Sequence, residues 1–444
     1  MNFTKIIAGI VIAGGISAIT IPIIYSKQIN KAIQIEKQNL SHYKIDIKEL
    51  SNKDSFIKTN RKYILTIKDI TPIVLEIDNS INHNDLKTLK ENFDNTKFLI
   101  TINLTKYPIY HKDAIKIDLF SLNNYLTNTM KTDKFGKQLL EFIKNKGIET
   151  ILDINNLNIA KAKIKDINLN ISEKKEALNF QLNKAYIDFN KNIKTNINKI
   201  SLKMSDKTSS FDISMLDFKD NLNRKSLFNY KEITTIKNIN YTYNDTISNI
   251  SFNLKNIDSN TKVSSIVSNL NTFNNINIKN ISLNKNKDNI NIDDFRFNLQ
   301  LLKLDLTSIK KIYLSSTNAN QNEIIKNSLT LLNKGFQLKL NPISINKATL
   351  KIDNQTTTID KIDLKLDAVL NKNNITTSNL NELEKYVNTT LNITTTQKNI
   401  DLLTNLNPMT AIYLAMVIKK DKNNININLS YKNGKIYSNG KQLF

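Results

Sequence analysis

Through most of the chain apolar and polar residues alternate one for one, and this alternation narrows the fold more than any other feature. Ile115-Lys-Ile-Asp-Leu119 shows the pattern, and the stretches at Tyr43, Tyr63 and Phe98 repeat it. A period of two sends alternate side chains to opposite faces of a strand, one buried and one wet. The same writing fills 148–216, 233–254, 276–306 and 336–370. The connections are too short for helical crossovers, so antiparallel meanders are expected.

Helical spacing interrupts the strands in a few places. Helices are predicted over 119–146, broken near Asp133, and over 261–273, 306–333 and 399–420. Gly147 and Gly335 stand where the first and third would end. Pro408 should kink or split the last. Asn433-Gly434 predicts a type I′ turn in a closing hairpin, because both of its positions need positive φ.

The N-terminus has a different character. Residues 6–24 carry no charge, and Lys27, Lys31 and Lys37 follow at once. A stretch of that length spans a bilayer core as a helix. The apolar run continues through Ile21, Pro22, Ile23 and Ile24, where a secretory signal would show a small-residue cleavage site, so an uncleaved anchor is expected. Ile29, Ile33 and Leu40 carry helical spacing onward over 27–40. The next apolar cluster, 409–418, is about half as long as a span. The expected organisation is an anchor over 1–26, its span at about 6–24, and one extracytoplasmic body over 27–444. Its fold class is β-rich α+β: an N-terminal transmembrane helix, then a long twisted antiparallel β-meander with a few packing helices.

Composition excludes several chemistries. The formal charge is +23, yet Arg61, Arg224 and Arg296 are the only arginines, and Lys is accompanied by an excess of Asn and Ile. Those three residue types share A/T-rich codons. Nucleic-acid readers rely on arginine forks and stacking aromatics, so no nucleic-acid partner is expected. Without cysteine there is no disulfide, thiolate site or lipid-bearing cysteine. Outside the anchor the glycines are Gly136, Gly147, Gly335, Gly434 and Gly440, with which neither a P-loop nor a dinucleotide fingerprint can be written. His42, His83 and His111 lack metal-ligand spacing. Asp293-Asp294 would point to opposite faces of a strand unless a bulge turned one of them. Asn-x-Ser/Thr triplets such as Asn103-Leu-Thr arise by chance in so Asn-rich a chain. No cofactor, metal or catalytic residue is expected, and the protein is read as no enzyme.

Three blocks resemble the YdgA-like family of bacterial proteins, which have one inner-membrane span and a periplasmic body. They are Ile24-Tyr25-Ser26-Lys27-Gln28-Ile29 with the helix and strand that follow; Leu331-Leu-Asn-Lys-Gly-Phe-Gln-Leu-Lys-Leu-Asn-Pro342; and Leu429-Ser-Tyr-Lys-Asn-Gly434-Lys-Ile-Tyr-Ser-Asn-Gly440. Ser26 stands where the family usually has glycine, and the aromatic-glycine turn after the first strand is missing. The resemblance implies an address, the bacterial inner membrane with the bulk of the chain in the periplasm, and a shape. It implies no active site. Lys5 against Lys27, Lys31 and Lys37 would favour the opposite orientation, but large domains translocate largely regardless of charge.

Strands this numerous make more apolar face than a few short helices can cover. Ile115, Ile117, Leu119, Ile164, Ile167, Leu169, Leu338 and Leu340 are therefore expected to line a common face. A part left open would bind an acyl chain or another elongated apolar ligand. The alternative is an assembly scaffold whose sheet is closed and which recruits another membrane protein. The expected partners are the bilayer, through the span, and a lipid or a membrane protein.

Overall fold

The computed structural model describes residues 40–443, leaving aside His42, 55–57, 78–82, 106–112, Asp133, 156–157, 174–175, 190–191, 318–320, Pro408 and 422–423. The anchor expected at 6–24 and the helix expected over 27–40, except Leu40, lie outside the described residues, as do His42 and His111. Among the described residues no helix is long and apolar enough to cross a membrane. The chain forms two compact units, Met1–Ser214 and Met215–Phe444.

In the first unit β1 (Ile45–Asp54), β2 (Lys58–Ile67), β3 (Lys97–Thr105), β4 (Asp113–Ser121), β5 (Glu149–Asn155) and β6 (Asn158–Ile164) each pair antiparallel with the next. Beyond this point the strands come in consecutive halves. The chain runs from β6 into β7 (Ile167–Glu173) and returns as β8 (Glu176–Asn183) and β9 (Ala185–Asp188). β7 pairs with β8 and β6 with β9, while β10 (Ile193–Ser205) pairs with both returning halves. At the joint Lys184 has a φ of 50°, and its N–H donates to Asp166 Oδ1 at 2.7 Å, so one aspartate bridges the breaks in both lines.

Helices α1 (Thr71–Ile77) and α2 (His83–Phe93) connect β2 to β3, and α3 (Asn124–Lys131) and α4 (Lys134–Lys144) connect β4 to β5. The second pair falls within the predicted 119–146 segment, whose first residues belong instead to β4; the first helix of the pair ends at Lys131, near the expected break, and Asp133 itself lies outside the described residues. The first pair was not predicted, because it is short and α2 offers only Leu86, Leu89 and Phe93 as large apolar residues. Asn123 caps α3 by accepting the Leu126 N–H at 2.8 Å, and its Nδ2 donates to Glu91 O at 2.7 Å, which ties α3 to α2. Ile73, Val74, Phe93, Met130, Leu139 and Ile143 close over the strands and complete a continuous buried core. Each buried aliphatic side chain stabilises by about 1.5–3 kcal/mol.

β11 (Ser210–Ser226) crosses the boundary between the units as one strand, which is why composition marks no linker. β12 (Asn229–Asn244), β13 (Asn249–Ile266), β14 (Asn269–Lys285) and β15 (Asp288–Asp305) follow as long antiparallel hairpins. β15 pairs along its length with β16 (Phe336–Ile345) and then β17 (Lys347–Ile352). β18 (Gln355–Ile359) pairs with β17, and β19 (Ile362–Leu370) with β16. β20 (Val387–Thr396) joins β19; β21 (Ile418–Asp421) and β22 (Asn424–Lys432) form a hairpin, with β22 also on β20. β23 (Lys435–Ser438) and β24 (Lys441–Gln442) close the chain. Asn433 and Gly434, at φ of 51° and 77°, form the predicted turn, and Asn439-Gly440 and Asp353-Asn354 have the same two positive angles.

Helices α5 (Leu306–Thr317) and α6 (Gln321–Lys334) stand between β15 and β16, and α7 (Gln397–Leu406) and α8 (Met409–Val417) between β20 and β21. They fall in the predicted 306–333 and 399–420 segments, each as two helices; the last residues of the second segment, 418–420, form β21 instead of continuing the helix. The helix predicted over 261–273 is not formed. That segment is the end of β13 and the start of β14, joined at Ile266↔Asn269 by the two residues Val267 and Ser268. β12 and β15 supply ladder partners on either side, and β-branched Thr261, Val263, Ile266 and Thr272 suit a pleated surface.

A crease crosses the long strands of the second unit. Each strand there carries two polar residues between apolar ones: Ile236-Lys-Asn-Ile239, Leu254-Lys-Asn-Ile257, Ile278-Lys-Asn-Ile281 and Ile292-Asp-Asp-Phe295. Strict alternation would turn apolar residues three apart to opposite faces. Asn256 and Asp294, with φ of 49° and 54°, absorb the extra residue as bulges do, and Asp217 of β11 does the same at 50°. Because every strand slips together the ladders keep their register: Ile236↔Ile257↔Ile278↔Phe295 on one side of the crease, Ile239↔Leu254↔Ile281↔Ile292 on the other. The strand breaks repeat the phrase as Ile345-Asn-Lys-Ala348 and Ile359-Asp-Lys-Ile362, and in the first unit as Ile164-Lys-Asp-Ile167 and Leu182-Asn-Lys-Ala185.

Candidate functional site

The residues expected to share an apolar face fall into two groups. Ile115, Ile117, Leu119, Ile167 and Leu169 are buried in the first unit's core, and Ile164 packs against it. Helices α1 to α4 help to seal that core. Leu338 and Leu340 belong to the second unit, half-buried on β16 opposite Leu301 and Leu299.

Around Leu338 and Leu340 the same strand writing gives a different outcome. One apolar strip runs across β12 to β16 in successive rows, from Tyr230↔Val263↔Thr272↔Leu301↔Leu338 to Tyr241↔Phe252↔Leu283↔Ile290. At the first end α5 and α6 cover it: Val263, Leu270 and Leu304 are buried against Leu306, Ile309, Leu331 and Phe336. At its side α7 covers Ile425 and Ile427 with Ile400, while Ile393 lies level with Phe297 through Ile343 and Leu364. Between these covers Ile236, Leu254, Ile278 and Phe295 are only half-buried, and Leu283 at the far end is 38% exposed. From Phe252 to Val263 along β13 the strip measures about 37 Å, at about 3.4 Å per residue.

The opposite face of the same strands is polar, and its amides bond to one another. Asn253 Nδ2 donates to Asn238 Oδ1 at 3.0 Å and also to Asn240 Oδ1. Asn280 Nδ2 donates to Asn291 and Asp293 at 2.8 and 2.9 Å, and Asn284 Nδ2 to Ser251 Oγ at 2.8 Å. Asp294, turned by the crease, pairs instead with Lys279 at 3.0 Å. The adjacent aspartates thus serve separate structural contacts.

Two acidic sites escaped the sequence reading. Glu232 occupies a place in the apolar series between Tyr230 and Thr234, and burial, followed by Asp220, raises its pKa. Asp220 accepts the Thr234 hydroxyl at 2.8 Å, so the strip has one acidic margin. In the first unit Asp118 and Glu149 are direct partners between β4 and β5, both buried. Lys146 Nζ approaches Asp118 Oδ2 at 3.4 Å, and burial, then Asp118, raises the pKa of Glu149. A carboxylate inside an otherwise apolar series was the available signal for Glu232. Asp118, between Ile117 and Leu119 on the polar phase, gave none.

The first unit also holds a cavity of about 720 Å³ lined by Asp46, Lys48, Lys68, Lys90, Asp94 and Lys97 among others. Its opposite charges are interspersed, and Asp94 is engaged with the Ile70 N–H at 2.8 Å. No group of three or more metal-ligating side chains occurs among the described residues. No protein-family model, curated protein or solved structure matches the chain.

Proposed function

We propose that the half-open apolar strip of the second unit binds an elongated apolar ligand, such as the acyl chain of a lipid, in a non-enzymatic cell-envelope protein. The observation that carries this reading is the contrast between two faces built alike. The first unit's apolar face is buried under its helices, whereas the second unit's middle rows stay half-buried across five strands. An acyl chain occupies about half of a 30 Å hydrocarbon core, so a strip of about 37 Å accommodates one with room for its head group. At about 25 cal/mol per Å2, covering the open rows is favourable without any polar contact. The acidic margin at Asp220 and Glu232 favours a head group that donates hydrogen bonds.

The resemblance to the YdgA-like family and the uncharged N-terminal stretch support the address: a single span in the bacterial inner membrane and a periplasmic body. The sealed first unit supports the scaffold reading for that part of the chain, with its loops meeting another membrane protein. The test is native mass spectrometry of the gently extracted full chain. Lipid should co-purify, and Ile278→Asp, in the open rows, should abolish it while thermal unfolding stays cooperative. Absence of lipid, with no protection by added fatty acid, would leave the scaffold reading for the whole chain.

A further inference from the structure

The turn between β13 and β14 combines two features that water disfavours. Val267 is 96% exposed, and its φ is 54°. A β-branched residue rarely adopts that angle, and glycine or asparagine would be the ordinary choice in such a two-residue turn. Exposed Ile266 stands beside it. Exposed Leu227 lies in the β11–β12 turn, three residues before Tyr230, whose partner Val263 stands three residues before Ile266.

Helix α5 extends the same patch. The Leu306 N–H donates to Ser268 O at 2.9 Å, so the helix starts at the tip. It reaches across to the β11–β12 turn, where Tyr313 meets Phe228 edge to face at 6.5 Å and Lys310 Nζ lies 5.9 Å from the Phe228 ring centre. Tyr313 and Leu314 remain exposed. Arg224, Lys225, Lys303 and Lys310, all exposed, lie on the elements that meet at this end, where Asp305 is the paired residue of Asn269, and none of the four makes an ion pair with a described residue.

We infer that this tip docks on an anionic bilayer surface, with Val267, Ile266 and Leu227 in the interface and the four basic residues on lipid phosphates. An exposed apolar turn with four unpaired basic residues at its end of the sheet, against Asp305 alone, suits an anionic leaflet, which attracts each nearby lysine or arginine and buries the apolar tip. Ile247, 84% exposed at the β12–β13 turn, is the contrasting case. Asp245 organises that turn by accepting the Ile247 and Ser248 N–H groups at 2.7 and 2.6 Å, which sets a carboxylate beside Ile247 in place of a basic side chain. Docking of the tip needs no ligand in the strip, so an empty strip would leave it standing.

The chain has no cysteine, so one introduced thiol reports one place. Full-length Val267→Cys and Ile247→Cys would each carry an environment-sensitive fluorophore and meet phosphatidylcholine vesicles with or without phosphatidylglycerol. The Val267 probe should shift to the blue and be quenched by lipid-borne nitroxides only on anionic vesicles, and salt should weaken the response. The Ile247 probe should stay aqueous. Adding Lys303→Glu and Lys310→Glu should reduce the Val267 response several-fold. A Val267 probe that stays in water, or an Ile247 probe that responds equally, would overturn the inference. So would a Val267 shift that appears without vesicles and grows with protein concentration, which would assign the tip to a second copy of the chain.

Discussion

The difference between a sealed and an open apolar face can be measured with one substitution made twice. Ile117 is 4% exposed, with Ile100 and Thr150 as its strand partners inside the first unit's core. Ile117→Ala removes buried methyl groups and leaves a cavity the surrounding core cannot fill, so it should cost about 3–4 kcal/mol. Ile278 sits between Ile257 and Phe295 on the strip and is half-buried. Ile278→Ala forfeits only about half of the transfer term and encloses no cavity, so about 1 kcal/mol is expected. Because two units need not unfold together, the assay is hydrogen exchange resolved by peptide, comparing β4 with β14. A loss of 3 kcal/mol corresponds to roughly a hundredfold or greater loss of protection for globally exchanging amides, against less than tenfold for 1 kcal/mol. Equal losses at the two sites would refute the openness of the strip, and with it the physical basis of the ligand reading.

Gly434→Val should destabilise the closing hairpin by about 1–3 kcal/mol, whereas Gly434→Asn should be nearly neutral, since no atom lies within 4 Å of an added Cβ; thermal unfolding and limited proteolysis would show it. Asn256→Gly should leave stability within about 1 kcal/mol of the parent, while Asn256→Val should cost about 1–3 kcal/mol, because the crease needs a left-handed residue there. Equal melting temperatures for those two variants would remove Asn256 from the crease. Glu149 has a raised pKa in the fold, so the native state binds its proton more tightly than the unfolded chain. That contribution is present below the usual value of 4.5 and is lost as pH rises through the raised value. Glu149→Gln should therefore flatten the decline of stability above pH 4.5, as read by denaturant titrations across pH, and an unchanged slope would place the linkage elsewhere.

Alternation at Ile115, Ile164 and Leu338 was enough to mark the strands, since a period of two has no other stable use at that length. The phrase that makes the crease stands in the sequence too, in Leu254-Lys-Asn-Ile257 and its counterparts, but two polar residues between apolar ones do not by themselves say which residue turns. Only the φ of Asn256 and Asp294 shows it to be a geometric device. Residues 261–273 were misread because Val263 and Leu270, facing inward from two strands, also fit helical spacing. The state of the site was least legible of all. Ile117 and Ile278 stand in the same kind of pattern, and what separates them is where the helices land, which tertiary packing decides and periodicity does not record.

The succession of strands also bears on how the chain can be made. β12, β13, β14 and β15 each pair with the strand next to them in sequence through turns of a few residues. Contacts of this kind close short loops, so assembly can proceed hairpin by hairpin in the order in which the chain emerges, each finished edge templating the next strand. The edge that guides growth is also its hazard. A chain interrupted after β13 would present an unpaired strand of 18 residues, Asn249–Ile266, to any similar strand nearby. Truncation at successive turns should thus yield aggregation that depends on which long edge is left bare.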